Sequence, residues 1–167
     1  MFCFSIRTTF SRPDALALAA ARIAETNADC IFADVKFVRL DGVTPAGRVY
    51  SSRRFHRILL RFGVMPPHPS MFVRRDVLLE LGGFDTSFRI AGDFDIIART
   101  LLERRSTFAL LPEIISSFRI GGVSTDGIKA KLRISSELAR SLRAMGQPMA
   151  LLAVQMRFPL KLLQLRW

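Results

Sequence analysis

Apolar positions recur along this chain in two rhythms, and the two rhythms alternate. Residues 30–39, CIFADVKFVR, alternate apolar and polar and are rich in Val, Ile and Phe, which predicts a strand. Leu16, Ala19, Ala20 and Ile23 recur at helical spacing, which predicts a helix ending near Asn27. Ser11 is placed to cap that helix, Pro13 suits its first turn, and Asp14 favours the positive end of its dipole. Residues 1–4 are a short apolar start that reads as the end of a strand. After the Asp41-Gly42 turn signal, residues 47–50 read as a returning strand. Residues 53–61 read as a basic helix with Phe55, Ile58, Leu59 and Phe62 on one side, stopped by Pro66 and Pro67.

The same alternation continues to the end. Residues 70–73 predict a short strand, 76–81 a short helix closed by Gly82 and Gly83, and 93–105 a stronger helix. Residues 107–111 and 114–119 predict two strands separated by Pro112 and Glu113, and Gly121 and Gly122 predict a turn. Residues 129–145 form a long basic helical pattern ended by Gly146 and Pro148, and 150–167 an amphipathic segment. Strands alternating with helices give the class α/β, with one domain over 1–147 and a basic C-terminal segment over 148–167.

Composition narrows the function classes. A length of 167 residues fits one domain, and with half of them hydrophobic the chain has enough apolar side chains for a core. The net charge of +11 admits plain solubility, an anionic ligand, anionic lipid or nucleic acid. There is no zinc-finger spacing, no aromatic RNA-binding strand and no leucine zipper, so no specific nucleic-acid partner is expected. Cys3 and Cys30 are too few for a disulfide framework and suit a reducing cytosol. No apolar run approaches the ~18–20 residues of a membrane span, and the first twelve residues lack the pattern of a signal peptide. The expected location is cytoplasmic, peripheral on the inner face of the plasma membrane.

Candidate chemistry concentrates in residues 65–99, MPPHPSMFVRRDVLLELGGFDTSFRIAGDFDIIAR. Asp93 and Asp95 lie two apart, so on a helix they point about 200° apart and do not share one ligand. Asp95 and Arg99 lie four apart and predict an ion pair with a structural role. Asp93, in the first turn, reads either as a helix cap or as a general base. His68 stands among Pro66, Pro67 and Pro69 and reads either as a satisfied structural histidine or as a contact to a phosphate or acceptor. His56 reads as helix surface. Gly82, Gly83, Phe84 and Asp85 read as a helix stop with a turn, or as a backbone that approaches a ligand closely, with Phe84 in the core or under an acceptor. Arg74, Arg75 and Arg119 could hold an anion through their forked donors or form a solvated basic face.

Residues 65–99, together with DVKFVRLDG at 34–42, RFGVMPPHPS at 61–70 and ISSFRIGGVS at 115–124, resemble the second half of family 2 glycosyltransferases of the GT-A fold, which build bacterial polysaccharides of the cell envelope. The likeness runs from about Thr9 to about Leu163. It implies a Rossmann-like mixed sheet flanked by helices, a nucleotide-sugar donor, and a glycan or lipid-linked acceptor. It implies that Asp93 is the catalytic base of an inverting displacement. His68, Gly82, Gly83, Phe84, Asp85 and Arg119 would meet donor and acceptor, and Asp95 and Arg99 would support them. It also implies a divalent metal, Mg or Mn, bridging the donor diphosphate through an Asp-x-Asp motif.

The chain departs from the family at its start. Ser5, Ile6, Arg7 and Thr8 stand where the family has acidic residues, so the metal's ligand motif is absent, and the nucleotide-binding strands expected upstream are missing. The expectation is therefore an incomplete sheet with an exposed apolar edge at 30–38, and a truncated transferase weakly active or inactive alone. The alternative is a non-catalytic remnant or accessory protein that binds an acceptor or a membrane. In the C-terminal segment, residues 150–156 are expected to pack on the domain. Residues 157–167, with Arg157, Lys161 and Arg166, are expected to touch anionic membrane.

Overall fold

The computed structural model describes residues 2–3, 9–39, 41–119, 127–147, 149–157 and 165–166. In chain order these form β1 (Phe2–Cys3), β2 (Thr9–Ser11), α1 (Ala15–Thr26), β3 (Cys30–Val38), β4 (Pro45–Tyr50), β5 (Met71–Val73), α2 (Arg75–Glu80), α3 (Gly92–Ala98), β6 (Phe108–Arg119), α4 (Gly127–Ala144), α5 (Ala150–Gln155) and β7 (Leu165–Arg166). Short 3-10 turns lie at Arg57–Phe62 and His68–Ser70, and a π turn at Arg99–Glu103 follows α3 directly. The predicted turn at Gly121 and Gly122 lies outside the described residues, as do residues 158–164.

The class is α/β, with an open mixed sheet flanked by helices. β3 is its middle. β6 runs parallel along the whole of one edge, from the pair Cys30 and Phe108 to the pair Val38 and Arg119. The other edge is divided: β5 pairs antiparallel with residues 30–32, and β4 pairs antiparallel with the half that starts at Val35. Short β1, β2 and β7 lengthen the margins on β5, β6 and β4. This corrects the expected exposed edge at 30–38. Cys30, Ile31, Phe32, Ala33, Asp34 and Val35 are all buried, because partners within this chain occupy both edges and helices cover both faces.

Alternation along β3 divides the core in two. Cys30 and Phe32 face one side, with Met71, Phe94, Ile97, Leu101 and Leu142. Ile31 and Ala33 face the other, with Ala15, Ala19, Phe72 and Ile115. Helix α1 ends at Asn27 in a left-handed cap (φ 50°), as read from sequence. Its buried face is Ala15 and Ala19, however, and Leu16 and Ala20 are exposed. Small residues win because α1 lies close on the sheet. Ser11 does not cap it; it pairs within β2, and Asp14 sits at the cap position bound to Arg12.

Three predicted elements change form. Residues 107–111 and 114–119 are one strand, β6. Leu111 pairs with Ala33 and Ile114 with Asp34, so Pro112 and Glu113 bulge outward without breaking the ladder. A bulge tolerates a proline that has no amide hydrogen to donate. The basic helix expected at 53–61 is only the 3-10 turn Arg57–Phe62. The His56 ring accepts from the Ile58 amide at its start, and Gly63 closes it in a left-handed conformation. The helix expected at 93–105 is α3 followed by the π turn.

Asp34 sits at the point where the edge of β3 changes hands. Its buried carboxylate accepts from the Ser52 amide (2.6 Å), the Ser52 hydroxyl (2.9 Å) and the Ser51 hydroxyl, and so fixes the exit from β4. Packing of 150–156 is borne out in part: Ala150 and Val154 are fully buried against α4, but Leu151, Leu152 and Met156 are exposed. Arg157 is a correction. It is buried and donates to the Ser135 hydroxyl (3.1 Å), so it does not reach a lipid surface.

In hydrogen exchange, the amides of residues 31–35 should exchange with the slowest group of the protein, on the timescale of global unfolding. Fast exchange there would restore the exposed edge.

Candidate functional site

The loop before β5 is stiff by composition and then tied down. Pro66, Pro67 and Pro69 are buried. The Ser70 hydroxyl, fully buried, donates to the Ala33 carbonyl of β3 and lies 3.0 Å from the Pro67 carbonyl. The Ser116 hydroxyl of β6 donates to the Pro69 carbonyl (3.3 Å). Tyr50 donates its phenol hydrogen to the Met65 carbonyl; burial pushes its pKa up, so it stays a donor. The loop is thus fastened to β3, β4 and β6, and His68 projects from it.

His68 Nε2 lies 3.4 Å from Asp93 Oδ2. Two candidates 25 positions apart in sequence meet there. The Asp93 side chain keeps 37% of its surface exposed and that of His68 19%, so solvent reaches the carboxylate from the outer side. The Phe118 ring stands edge-on to the imidazole, 6.5 Å between centroids. Beneath the pair, Met71, Phe84, Ile96 and Ile97 close a crevice too narrow for a water molecule.

Asp93 lies inside α3, past its cap position. No side-chain hydrogen bond from the cap position serves α3, whose cap is Ala91. The Glu137 carboxylate of α4 instead accepts from the amides of Arg89 (3.3 Å), Ile90 (2.9 Å) and Ala91 (2.9 Å). Burial alone would raise the Glu137 pKa; the three backbone donors together outweigh it and hold the group below the usual carboxylate range. Sequence reasoning missed Glu137. Its signal was present: it is the one carboxylate in the basic sequence of α4.

Asp95 and Arg99 behave as read. Arg99 Nε donates to Asp95 Oδ2 (2.8 Å), and its two terminal nitrogens donate to the carbonyls of Leu81 and Gly83 (2.7 Å each). The Ser141 hydroxyl of α4 donates to Asp95 Oδ1 (2.8 Å). Gly82 and Gly83 are both left-handed (φ 71° and 72°), and their amides close α2 onto Leu79 and Leu78. The glycine pair is therefore a helix stop clamped by Arg99.

That stop forms one wall of a pocket of about 480 Å³, with α4 as the other. Phe84 lines this pocket and also the crevice under His68 and Asp93. Asp85 turns back on Ser87, whose hydroxyl and amide hold its carboxyl below the usual range. Arg140 lies 3.9 Å over the Phe88 ring and donates to the Ser87 hydroxyl (3.2 Å).

The other arginines lie elsewhere. Arg119 ends β6, with its guanidinium against Gly42 in the β3–β4 turn. Its neighbour Phe118 is the residue beside His68. Arg74 is committed to Asn27, Ala28 and Asp29. Burial pushes the Cys30 thiol up to about 12, so it is not a nucleophile at neutral pH. Among the described residues no three His, Cys, Asp or Glu side chains converge. No helix among them is long and apolar enough to cross a membrane. No family model and no curated protein matches the chain.

Glu137→Gln should destabilise the fold by about 1–3 kcal/mol at pH 7, because a neutral amide accepts poorly from three backbone amides, one buried and two part-buried. The folded-state pKa is depressed, so this contribution is full above the ordinary carboxylate range and is lost as pH falls through the folded value. Urea denaturation at pH 7 and pH 3 should therefore show the gap between wild type and variant narrowing in acid.

Proposed function

We propose that this chain carries the acceptor-side wall of an inverting sugar transferase of the GT-A type, with Asp93 as general base. The observation that carries the reading is the meeting of His68 and Asp93 at 3.4 Å, with the Asp93 side chain 37% exposed. A half-exposed carboxylate, held by an imidazole on a proline-stiffened loop, suits proton abstraction from a sugar hydroxyl. An Nε2–H on His68 would bind Oδ2 and leave Oδ1 for the acceptor. As Asp93 takes the hydroxyl proton, the acceptor oxygen bonds to the anomeric carbon of the donor. The bond to the diphosphate breaks on the opposite side, its electron pair leaves with the nucleoside diphosphate, and the anomeric centre inverts. The chain's own contribution is positioning and the base.

A second reading is a non-catalytic chain that holds an acceptor. It draws on Ser5, Ile6, Arg7 and Thr8, which stand where the resemblance expects acidic residues.

With UDP-, GDP- and dTDP-hexoses and an oligosaccharide acceptor, nucleoside diphosphate release should fall by about 10²–10⁴-fold in Asp93→Asn. His68→Ala should lower it by a smaller factor. An Asp93→Asn chain with wild-type turnover would overturn the base. Acceptor binding with no release in any variant would favour the second reading, and neither binding nor release would end both.

We also propose an anionic membrane as a partner, on a face shifted from the sequence expectation. α5 exposes Leu151 and Leu152, α4 exposes Lys129 and Arg133 four apart on one side, and the one carboxylate of α4 is buried. Co-sedimentation with phosphatidylglycerol vesicles at low salt should drop at least several-fold in a Leu151→Ser, Leu152→Ser double variant. Equal pelleting of both proteins would refute this face.

A further inference from the structure

We infer that the outer edge of β6 is a strand-pairing surface for a second copy of this chain, and that four arginines hold it shut. The inference goes beyond the transfer chemistry and does not depend on it.

β6 is the longest of the described strands. Its inner edge pairs with β3 from end to end, whereas among the described residues only β2 meets its outer edge, at 116–118. The direction of the remaining groups follows from alternation. The Thr107 carbonyl accepts from the amides of Asp29 and Cys30, so residues 107, 109 and 111 turn toward β3, and 106, 108 and 110 turn outward. An outward row of amides and carbonyls on the apolar run Phe108, Ala109, Leu110 and Leu111 is a template for another strand.

Arginines occupy the carbonyls of this row. Arg57 Nη2 donates to the Ser106 carbonyl (3.3 Å), Arg22 Nε to that of Leu110 (3.2 Å), Arg53 Nη2 to that of Pro112 (3.3 Å) and Arg12 Nη1 to that of Ile114 (3.4 Å). Arg57 and Arg53 come from the side of Phe55 and Phe108, where the Arg57 guanidinium also lies 5.6 Å from the Phe108 ring centroid. Arg22 and Arg12 come from α1 and the turn before it, on the opposite face. The two faces therefore take turns along the edge.

Two of the four are fastened a second time. Arg22 Nη1 donates to Glu25 (3.0 Å), and Arg12 Nε to Asp14 (2.9 Å). An incoming strand must displace guanidiniums that already hold a carbonyl and a carboxylate, or bury their charge. The bulge at Pro112 and Glu113 adds to this, since a proline has no amide hydrogen to offer a partner and the bulge breaks the register.

The fitting occupant is another copy. Strand addition is made by backbone groups, and two copies of one free edge match each other antiparallel about a two-fold axis. A polyanion fits less well, because Asp14 and Glu25 already hold two of the guanidiniums and Glu113 stands exposed between Pro112 and Ile114.

The test combines sedimentation velocity with amide hydrogen exchange on the full chain. In dilute wild-type protein the amides of Phe108 and Leu110 should exchange fast and those of Ala109 and Leu111 slowly. The double variant Arg22→Ala, Arg53→Ala uncovers the Leu110 and Pro112 carbonyls. It should move from 18.8 kDa toward twice that mass as concentration rises, at least about tenfold more tightly than wild type, with Phe108 and Leu110 becoming protected. Arg75→Ala, Arg143→Ala removes the same charge from exposed positions on α2 and α4 and should sediment as wild type does. The amide spectrum of each variant reports its fold; Arg53→Ala alone, at an exposed position, is read by the same criteria if the double variant does not fold. A folded edge variant that stays monomeric, with Phe108 and Leu110 still fast, would overturn the inference. So would equal association of the two double variants, protection that arises away from 108–111, or slow exchange at Phe108 and Leu110 in the dilute wild type.

Discussion

A guanidinium largely withdrawn from water needs partners, and Arg99, its side chain 17% exposed, finds them in three directions. Asp95 takes one nitrogen from within the same helix, and the carbonyls of Leu81 and Gly83 take the others from the end of α2. Asp95 in turn holds Ser141 of α4. Three segments that are distant in sequence thereby converge on one buried pair. The pair's value is geometric as much as energetic, since an ion pair out of water repays its desolvation only when the remaining lone pairs and protons are satisfied. Here they are satisfied by the loop that carries Phe84 and by the helix that carries Glu137. The positions of Phe84 and Asp93 both follow from it.

Three carboxylates within this small region have three different fates, decided by neighbours. Asp95 is buried and paired. Glu137 is buried and occupied by backbone amides. Asp93 is left half in solvent with one imidazole beside it. Only the last retains an oxygen able to meet a substrate. α4 is the common support, since it supplies Glu137 to the start of α3 and Ser141 to Asp95.

Local rules made much of this legible. The (i, i+4) spacing of Asp95 and Arg99 foretold their pairing, the divergence of Asp93 from Asp95 foretold their different neighbours, and the alternation in 30–38 foretold β3. What sequence could not supply were relations across the chain. The exposed edge is expected because the resemblance places further strands upstream, and nothing local says that β4 and β5 share one edge of β3 instead. Pro112 reads as a break until a parallel partner shows that two residues bulge. Leu16 fits a helical stripe as well as Ala15 does, and only the close approach of the sheet decides for the smaller residues. Glu137 stands 46 positions from the amide of Ala91, so its hold on the approach to α3 needed the fold.

The divided edge of β3 gives the site a dependence on register. The loop bearing His68 is fastened to Ala33, beside the handover at Asp34, while Asp93 is placed from the far side by α4. The two halves of the pair are thus positioned by independent parts of the molecule and meet at 3.4 Å. One step of slippage along a strand is about 3.3 Å. A slip of β5 by a single residue would also exchange the faces of Met71, Phe72 and Val73, which serve opposite halves of the core. In this architecture the register that places His68 beside Asp93 is therefore guarded by the core itself.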